Sequence, residues 1–310
     1  MARVVTLGEL LVEFVAIEGD GFPTPLPTGP GRFAGPFPSG APAIFIDQAA
    51  RMGLETAILG SVGADSFGGV LLERLLADGV DTRLVRRLDH LPTGTAHVGY
   101  NADGSRDFVF HIAGSAADAV SADDARALVN GADAVHLSGA SFGSPRLREA
   151  ALVALEAADQ AGTRVSMDPN IRPELMGDPA VLAEIRGALD RATWIFPSEE
   201  DLRFLAPDRD PIDAARSLLR EGKTIVITRG EQGAALIDTD GLIDRGAYAV
   251  EPIDPTGAGD AFAATFLAAH LSGADSTTAL ECAVKAGALA TTRLGPMEGN
   301  TTIEDIGLPG

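Results

Sequence analysis

Nine residues, Asp254 to Phe262, read DPTGAGDAF and bring a flexible turn and a carboxylate together at what reads as a helix start. Asp254-Pro255 suits a turn, Gly257 and Gly259 open backbone conformations closed to other residues, and AFAATFLAAHL beyond them is strongly helix-forming. The first N–H groups of such a helix are unpaired and partly positive, so they suit a phosphate whose charge grows during transfer. Asp260 lies beside that anion hole. A carboxylate there repels a bound phosphate, yet it is well placed to accept the proton of a hydroxyl attacking one. The chemistry that fits is phosphoryl transfer to an alcohol, while GAGD alone also reads as a Gly-rich loop capped by Asp.

The elements that must position this turn alternate along the chain. ARVVTL reads as a buried strand, APAIFIDQAARMG as a helix, TAILGSVG as a strand and SFGGVLLERLLADG as a helix with a Gly cap. The alternation returns with DAVHLSG, PRLREAALVALEAADQAG and TRVSMDPN, then with TWIFPS, AARSLLREG and TIVITRG. Strands joined by helices predict an α/β fold whose parallel sheet is covered on both faces, with ligands gathered beyond the strands' C-terminal ends. Asp168, Ser198, Arg229 and Asp254 all follow apolar runs in that manner. Two stretches break the pattern. Residues 10 to 38 contain LLVEFVAI and a Pro/Gly-rich segment, and residues 93 to 112 alternate around the turn NADG as a hairpin does.

With 310 residues, 45% of them hydrophobic, the chain can bury a large core. A net charge of −20 argues against nonspecific binding to nucleic acid or to anionic membranes, and no basic or aromatic strip offsets it. The single cysteine, Cys282, excludes an internal disulfide. No charged leader with an apolar core and no bilayer-length apolar run is present, so a cytoplasmic address is expected. His90, His97, His111, His136 and His270 show no metal-binding spacing. There is no GxSxG elbow, and EGKT at 221 to 224 fails as a phosphate loop because Ser217 replaces its first Gly and a strand follows Thr224.

DPTGAGDAF resembles the C-terminal signature of the ribokinase-like, or PfkB, family of carbohydrate kinases, and the likeness extends from Gly8 to roughly Thr292. It implies a ribokinase-like three-layer sandwich with a central, mainly parallel sheet and a small β-sheet lid. It also implies one kinase domain over residues 1–310, with lid insertions at about 10–38 and 93–112. By the resemblance Asp260 is the catalytic base, Gly257, Ala258 and Gly259 are the hole donors, and Thr256, Gly257 and Gly259 also meet the nucleotide. PSGAPAIFIDQ resembles the N-terminal signature, in which a Gly-Gly pair meets the sugar and an Asn one turn later bonds its hydroxyls. Here the pair is Ser39-Gly40, with Gly40 and Ala41 as the sugar-binding candidates, and Ile44 takes the Asn position. Asp47, three residues on, is a candidate replacement or else a solvated helix residue. Glu13 in GELLVEF stands where relatives with ribose-like substrates carry a sugar-binding Asp, and reads equally as an exposed strand residue. His111 lies in the lid hairpin and is the one histidine singled out for sugar contact.

At the nucleotide end, ITRGEQGAALI resembles the strand–turn–strand that cradles ATP phosphates, with Thr228, Gly230 and Gly233. FPSEEDL occupies the place of the family's NxxE region, with Ser198 for Asn and Asp201 for Glu, which leaves Asp201 as a ligand of Mg²⁺ through water, or as a helix-start charge. DPNIRP resembles 2-keto-3-deoxygluconate kinases and related ketose kinases, with Asn170 and Arg172 reaching the nucleotide phosphates or the substrate. Those acid kinases carry a YYR-like triplet before a Ser-Ala pair, and the aligned stretch here is Phe110-His111-Ile112. Without that arginine a buried substrate carboxylate lacks its cation, so a neutral sugar is expected. The stretches at 21 to 48 and 105 to 118 look most like the branch associated with D-tagatose kinases. The expectation is an ATP-dependent kinase acting on the terminal primary hydroxyl of a ketohexose, with ATP and Mg²⁺ as cofactors and K⁺ as a further candidate near Asp254. Its partners are the sugar and ATP, with a homodimer through the lid. The alternatives are a 2-keto-3-deoxygluconate, fructose or nucleoside kinase and, in another class, a non-catalytic sugar sensor on the same fold.

Overall fold

The computed structural model describes residues 1–19, 21–103 and 105–307. Runs such as TIVIT and RVVTL lack polar alternation, so they belong in a sheet buried on both faces. Among the described residues nine strands form that sheet, in the order Gly241–Arg245, Ala234–Asp238, Thr224–Thr228, Trp194–Ile195, Arg164–Asp168, Ala134–Ser138, Arg3–Leu7, Glu55–Gly63 and Asp81–Leu88. From Thr224–Thr228 onward the pairings are parallel. The first two strands join antiparallel.

Neighbouring residues of one strand feed opposite layers, because side chains alternate across a sheet. Ile225 and Ile227 pack with Leu155 and Ile185 from the helices Pro145–Ala161 and Pro179–Arg191. Val226 packs instead with Phe266 and Leu280, from Ala258–Leu271 and Ser276–Ala290. The result is the expected three-layer α/β sandwich. Its edge strand Asp81–Leu88, DTRLVRRL, is not legible in the sequence, because an edge strand guarded by arginines gives little apolar signal.

The two pattern-breaking stretches build a separate five-stranded sheet. Leu11–Glu18 pairs antiparallel with Phe22–Pro23 and Arg32–Ser39 and parallel with Gly94–Tyr100, which pairs antiparallel with Arg106–His111. The hairpin expected around NADG is therefore present, although Gly104 of the turn, like Asp20 and residues 308–310, lies outside the described residues.

Candidate active site

A cavity of about 780 Å³ lies between this small sheet and the C-terminal ends of the large one. The helix Ala258–Leu271 starts at its floor, with Gly257 as N-cap in the left-handed region at φ 83°. A Cβ on Gly257 would come within 2.2 Å of the Pro296 carbonyl oxygen, so packing as well as conformation demands glycine there. Thr256, Gly257, Ala258 and Gly259 all border the cavity, as the signature implies. Asp260 borders it too and is only 8% exposed, and its Oδ1 has no hydrogen-bond partner. Burial, opposed by Arg172 and reinforced by Glu9, pushes the Asp260 carboxyl up to about 7. A base poised near neutrality suits proton abstraction at physiological pH.

At the other end, Gly40 and Ala41 border the cavity beside Ile44. Glu13 is buried rather than exposed on its strand, with one carboxylate oxygen accepting from Ser39 Oγ at 3.3 Å and Oε1 unpartnered. Burial, aided by the Asp254 charge, pushes it up to about 8. Glu9, which the sequence reading passed over, is a second buried carboxylate here, bonded by Ser141 Oγ at 2.6 Å. Its signal was available: GELLVEF puts two acids four residues apart in an otherwise apolar strand region.

Two expectations need correction at this end. Asp47 neither borders the cavity nor meets solvent. It is fully buried and bonded to Arg74 at 3.1 and 3.2 Å and to Asn300 Nδ2 at 2.7 Å, so its oxygens are spent on an internal ion pair. His111 faces away from the cavity, because a strand alternates sides: Phe108, Phe110 and Ile112 face inward and His111 is exposed, 3.4 Å from Thr95 Oγ1. The lid nevertheless delivers a cation that alignment of the triplet missed. Arg106 borders the cavity, as does Arg172, and both guanidiniums lie over the Phe108 ring, at 5.6 and 5.8 Å.

The nucleotide-end candidates Asn170, Arg172, Ser198, Asp201, Thr228, Gly230 and Gly233 also line the cavity. Asn170 adopts φ 36°, a left-handed conformation that Asn tolerates, and is held by Asp168 Oδ1 at 2.8 Å and Ser138 Oγ at 3.1 Å. Ser198 and Asp201 form a capping box at the start of Glu199–Leu205: Asp201 Oδ2 accepts from the Ser198 N–H and Oγ, and Oδ1 accepts from the Ile171 N–H at 2.8 Å. The carboxylate expected to serve Mg²⁺ is thus committed to fixing the Asn170–Arg172 loop. Asp168 suits the metal better. Burial and the charges of Asp201 and Asp260 push it well above the usual carboxylate range, and a divalent cation would relieve that repulsion. Asp254, the carboxylate near which K⁺ is a candidate, accepts through Oδ1 from Thr256 N–H at 2.9 Å and from the Tyr100 hydroxyl, and through Oδ2 from Gly295 N–H at 2.9 Å.

A carboxylate at the first turn of a glycine-capped helix, facing a cavity roofed by a separate small sheet, is an arrangement with known relatives. The family model described as pfkB family carbohydrate kinase matches residues 1–303. The chain belongs to that family. A 2-dehydro-3-deoxygluconokinase of Thermoproteus tenax is 34% identical over 93% of this chain and 88% of its own length. A fructokinase of Salmonella typhimurium is 33% identical over 96% and 95%. Among solved structures, an E. coli protein provisionally labelled ribokinase II, in complex with ATP and Mg²⁺, superposes with a TM-score of 0.90 at 37% identity, covering 99% of this chain and 98% of that one. This member of the pfkB family is an ATP-dependent carbohydrate kinase. Among the described residues, no helix is long and apolar enough to cross a membrane.

Proposed function

We propose that the chain transfers the γ-phosphoryl group of ATP to the terminal primary hydroxyl of a neutral ketohexose, D-tagatose or D-fructose. The observation that carries this reading is the pair of buried carboxylates, Glu9 and Glu13, at the sugar end, with Glu13 Oε1 unpartnered. Carboxyl oxygens of that kind accept from sugar hydroxyls, and a sugar carboxylate would have to compete with both acids for the charge of Arg172. Phe108, Phe110 and Ile112 on the lid give the sugar's apolar edges a roof that excludes water.

In the reaction, Asp260 takes the proton of the hydroxyl as its oxygen bonds to the γ-phosphorus. The bond from that phosphorus to the bridging β-oxygen breaks, and ADP leaves. The first N–H groups of Ala258–Leu271 accept the charge developing on the transferred group, and Arg172, which borders the same cavity and whose charge already acts on Asp260, helps to balance it. Asp168 would hold Mg²⁺, which when bound would neutralise charge at the ATP phosphates. The exposed Phe33 and Val109 belong to the lid, whose outer surface is where a second copy would dock.

One observation favours a second reading, 2-keto-3-deoxygluconate. Arg106 and Arg172 both border the cavity and could pair with its carboxylate, which weakens the argument from the missing triplet arginine. A panel of D-tagatose, D-fructose and 2-keto-3-deoxygluconate, followed by ADP release, decides between them. A higher kcat/KM for the acid would overturn the ketohexose reading.

A further inference from the structure

Four side chains tie the lid to the turn that precedes the anion hole. Tyr100 ends one lid strand and lies directly opposite Arg106, the first residue of the next. Both reach the same residue of the large domain layer: the Tyr100 hydroxyl is 2.8 Å from Thr256 Oγ1, and Arg106 Nη1 donates to that atom across 3.2 Å. The Tyr100 hydroxyl also donates to Asp254 Oδ1. Burial and the Asp254 charge push the phenol far above its ordinary pKa, so the proton stays on it.

A guanidinium can only donate and a carboxylate can only accept, so the two hydroxyls between them have a single orientation. Donation runs from Arg106 to Thr256, from Thr256 to Tyr100 and from Tyr100 to Asp254. The chain alternates between lid and floor at every step, and each bond polarises the next. Its last member is fully buried and fixes the turn through the Thr256 and Gly295 N–H groups. Gly295 precedes Pro296, whose carbonyl packs against Gly257, the N-cap of the hole helix. Asp254 therefore stands between the lid and the backbone that shapes the hole.

We propose that Tyr100 is a positioning residue for phosphoryl transfer, its hydroxyl latching the closed lid to Asp254 and Thr256 so that closure over the sugar completes the anion hole. The proposal rests on the anion-hole reading of residues 257–260 given above. With the lid lifted, Asp254 loses one donor and Thr256 loses both lid contacts, which ties full catalytic geometry to the presence of sugar. A tyrosine that merely filled space at the lid edge would stabilise the fold without acting on the chemical step.

The full chain carrying Tyr100→Phe, Thr256→Val, both together, or Thr256→Ser is assayed for kcat and for KM with the better ketohexose of D-tagatose and D-fructose. Tyr100→Phe removes one oxygen and keeps the ring, and it is expected to lower kcat about tenfold while KM for sugar shifts less than about threefold. Thr256→Val should fall similarly, Thr256→Ser, which keeps the hydroxyl, should regain most of what Thr256→Val loses, and the double variant should be no slower than the slower single one. Unchanged kcat in Tyr100→Phe, or single losses that multiply in the double variant, overturns the latch. A loss confined to thermal stability or to KM overturns it equally. If the parent chain phosphorylates no sugar at all, the site reading falls and the latch with it; parent turnover with an indifferent Tyr100→Phe removes the latch alone.

Discussion

Asp260→Asn isolates the proposed proton acceptor because the substitution preserves shape and removes only basicity. Oδ1 of Asp260 has no protein partner, so an amide enters without breaking a hydrogen bond, and the folded state should survive. Two acids of the same cavity are already engaged. Glu9 is held by Ser141 Oγ and by the Ala41 backbone, and Asp168 holds the Asn170 N–H. A single general base contributes roughly a hundredfold to ten-thousandfold, so turnover should fall by at least about a hundredfold with sugar binding largely retained. The same carboxyl sets a pH signature. It is pushed up to about 7 and works only when deprotonated, so parental kcat/KM should climb about tenfold per pH unit below 7 and level off above it. The variant should lack that limb. Coupled ADP release at saturating ATP and Mg²⁺, measured from pH 5.5 to 9, gives both readouts. Turnover within tenfold of the parent, or an unchanged acid limb, would refute the assignment of Asp260.

Other residues give independent expectations. D-tagatose or D-fructose should exceed 2-keto-3-deoxygluconate by at least about tenfold in kcat/KM, because the acid's buried charge would have to compete with Glu9 and Glu13 for Arg172. Phosphorus NMR of the product should place the phosphate on the terminal carbon, and a phosphate on the first carbon would contradict the bound geometry. Glu13, raised from 4.5 to about 8, favours folding fully below pH 4.5 and loses that contribution as pH rises through 8. Glu13→Gln mimics the protonated form, so its melting temperature relative to the parent should rise between pH 5 and 9, by a ceiling of about 5 kcal/mol in stability. A flat difference would mean that the carboxyl is not perturbed. Asp47→Ala should cost about 1–3 kcal/mol by removing the buried acceptor that Arg74 and Asn300 share, Arg74 keeping Asp78, while leaving KM for sugar unchanged, whereas a large rise in KM would return Asp47 to the sugar site. Asp168→Asn should raise the Mg²⁺ concentration needed for half-maximal turnover, and an unaltered requirement would remove Asp168 from the metal.

The parts legible in the sequence share one property: their chemistry is local. The glycine-capped turn, its carboxylate and the start of the following helix occupy nine consecutive residues, and the structure sets them together as read. The alternating strands and helices are likewise periodic over short windows, which is why the sheet could be anticipated except at its two edges, Gly241–Arg245 and Asp81–Leu88. What failed depended on direction or on distant partners. His111 and Ile112 are adjacent in sequence, but a strand sends them to opposite faces, and only a fixed register says which one meets the ligand. Asp47 looked available because Arg74 and Asn300 lie 27 and 253 residues away along the chain. Asp201 looked like a metal ligand until its capping box with Ser198 and its bond to Ile171 were formed. A carboxylate's identity thus shows what it can do, while its free lone pairs decide what it does. Those depend on donors that only the folded chain delivers, and by that criterion Asp260 Oδ1 and Glu13 Oε1, buried at the cavity and unpartnered, are free to act on a ligand.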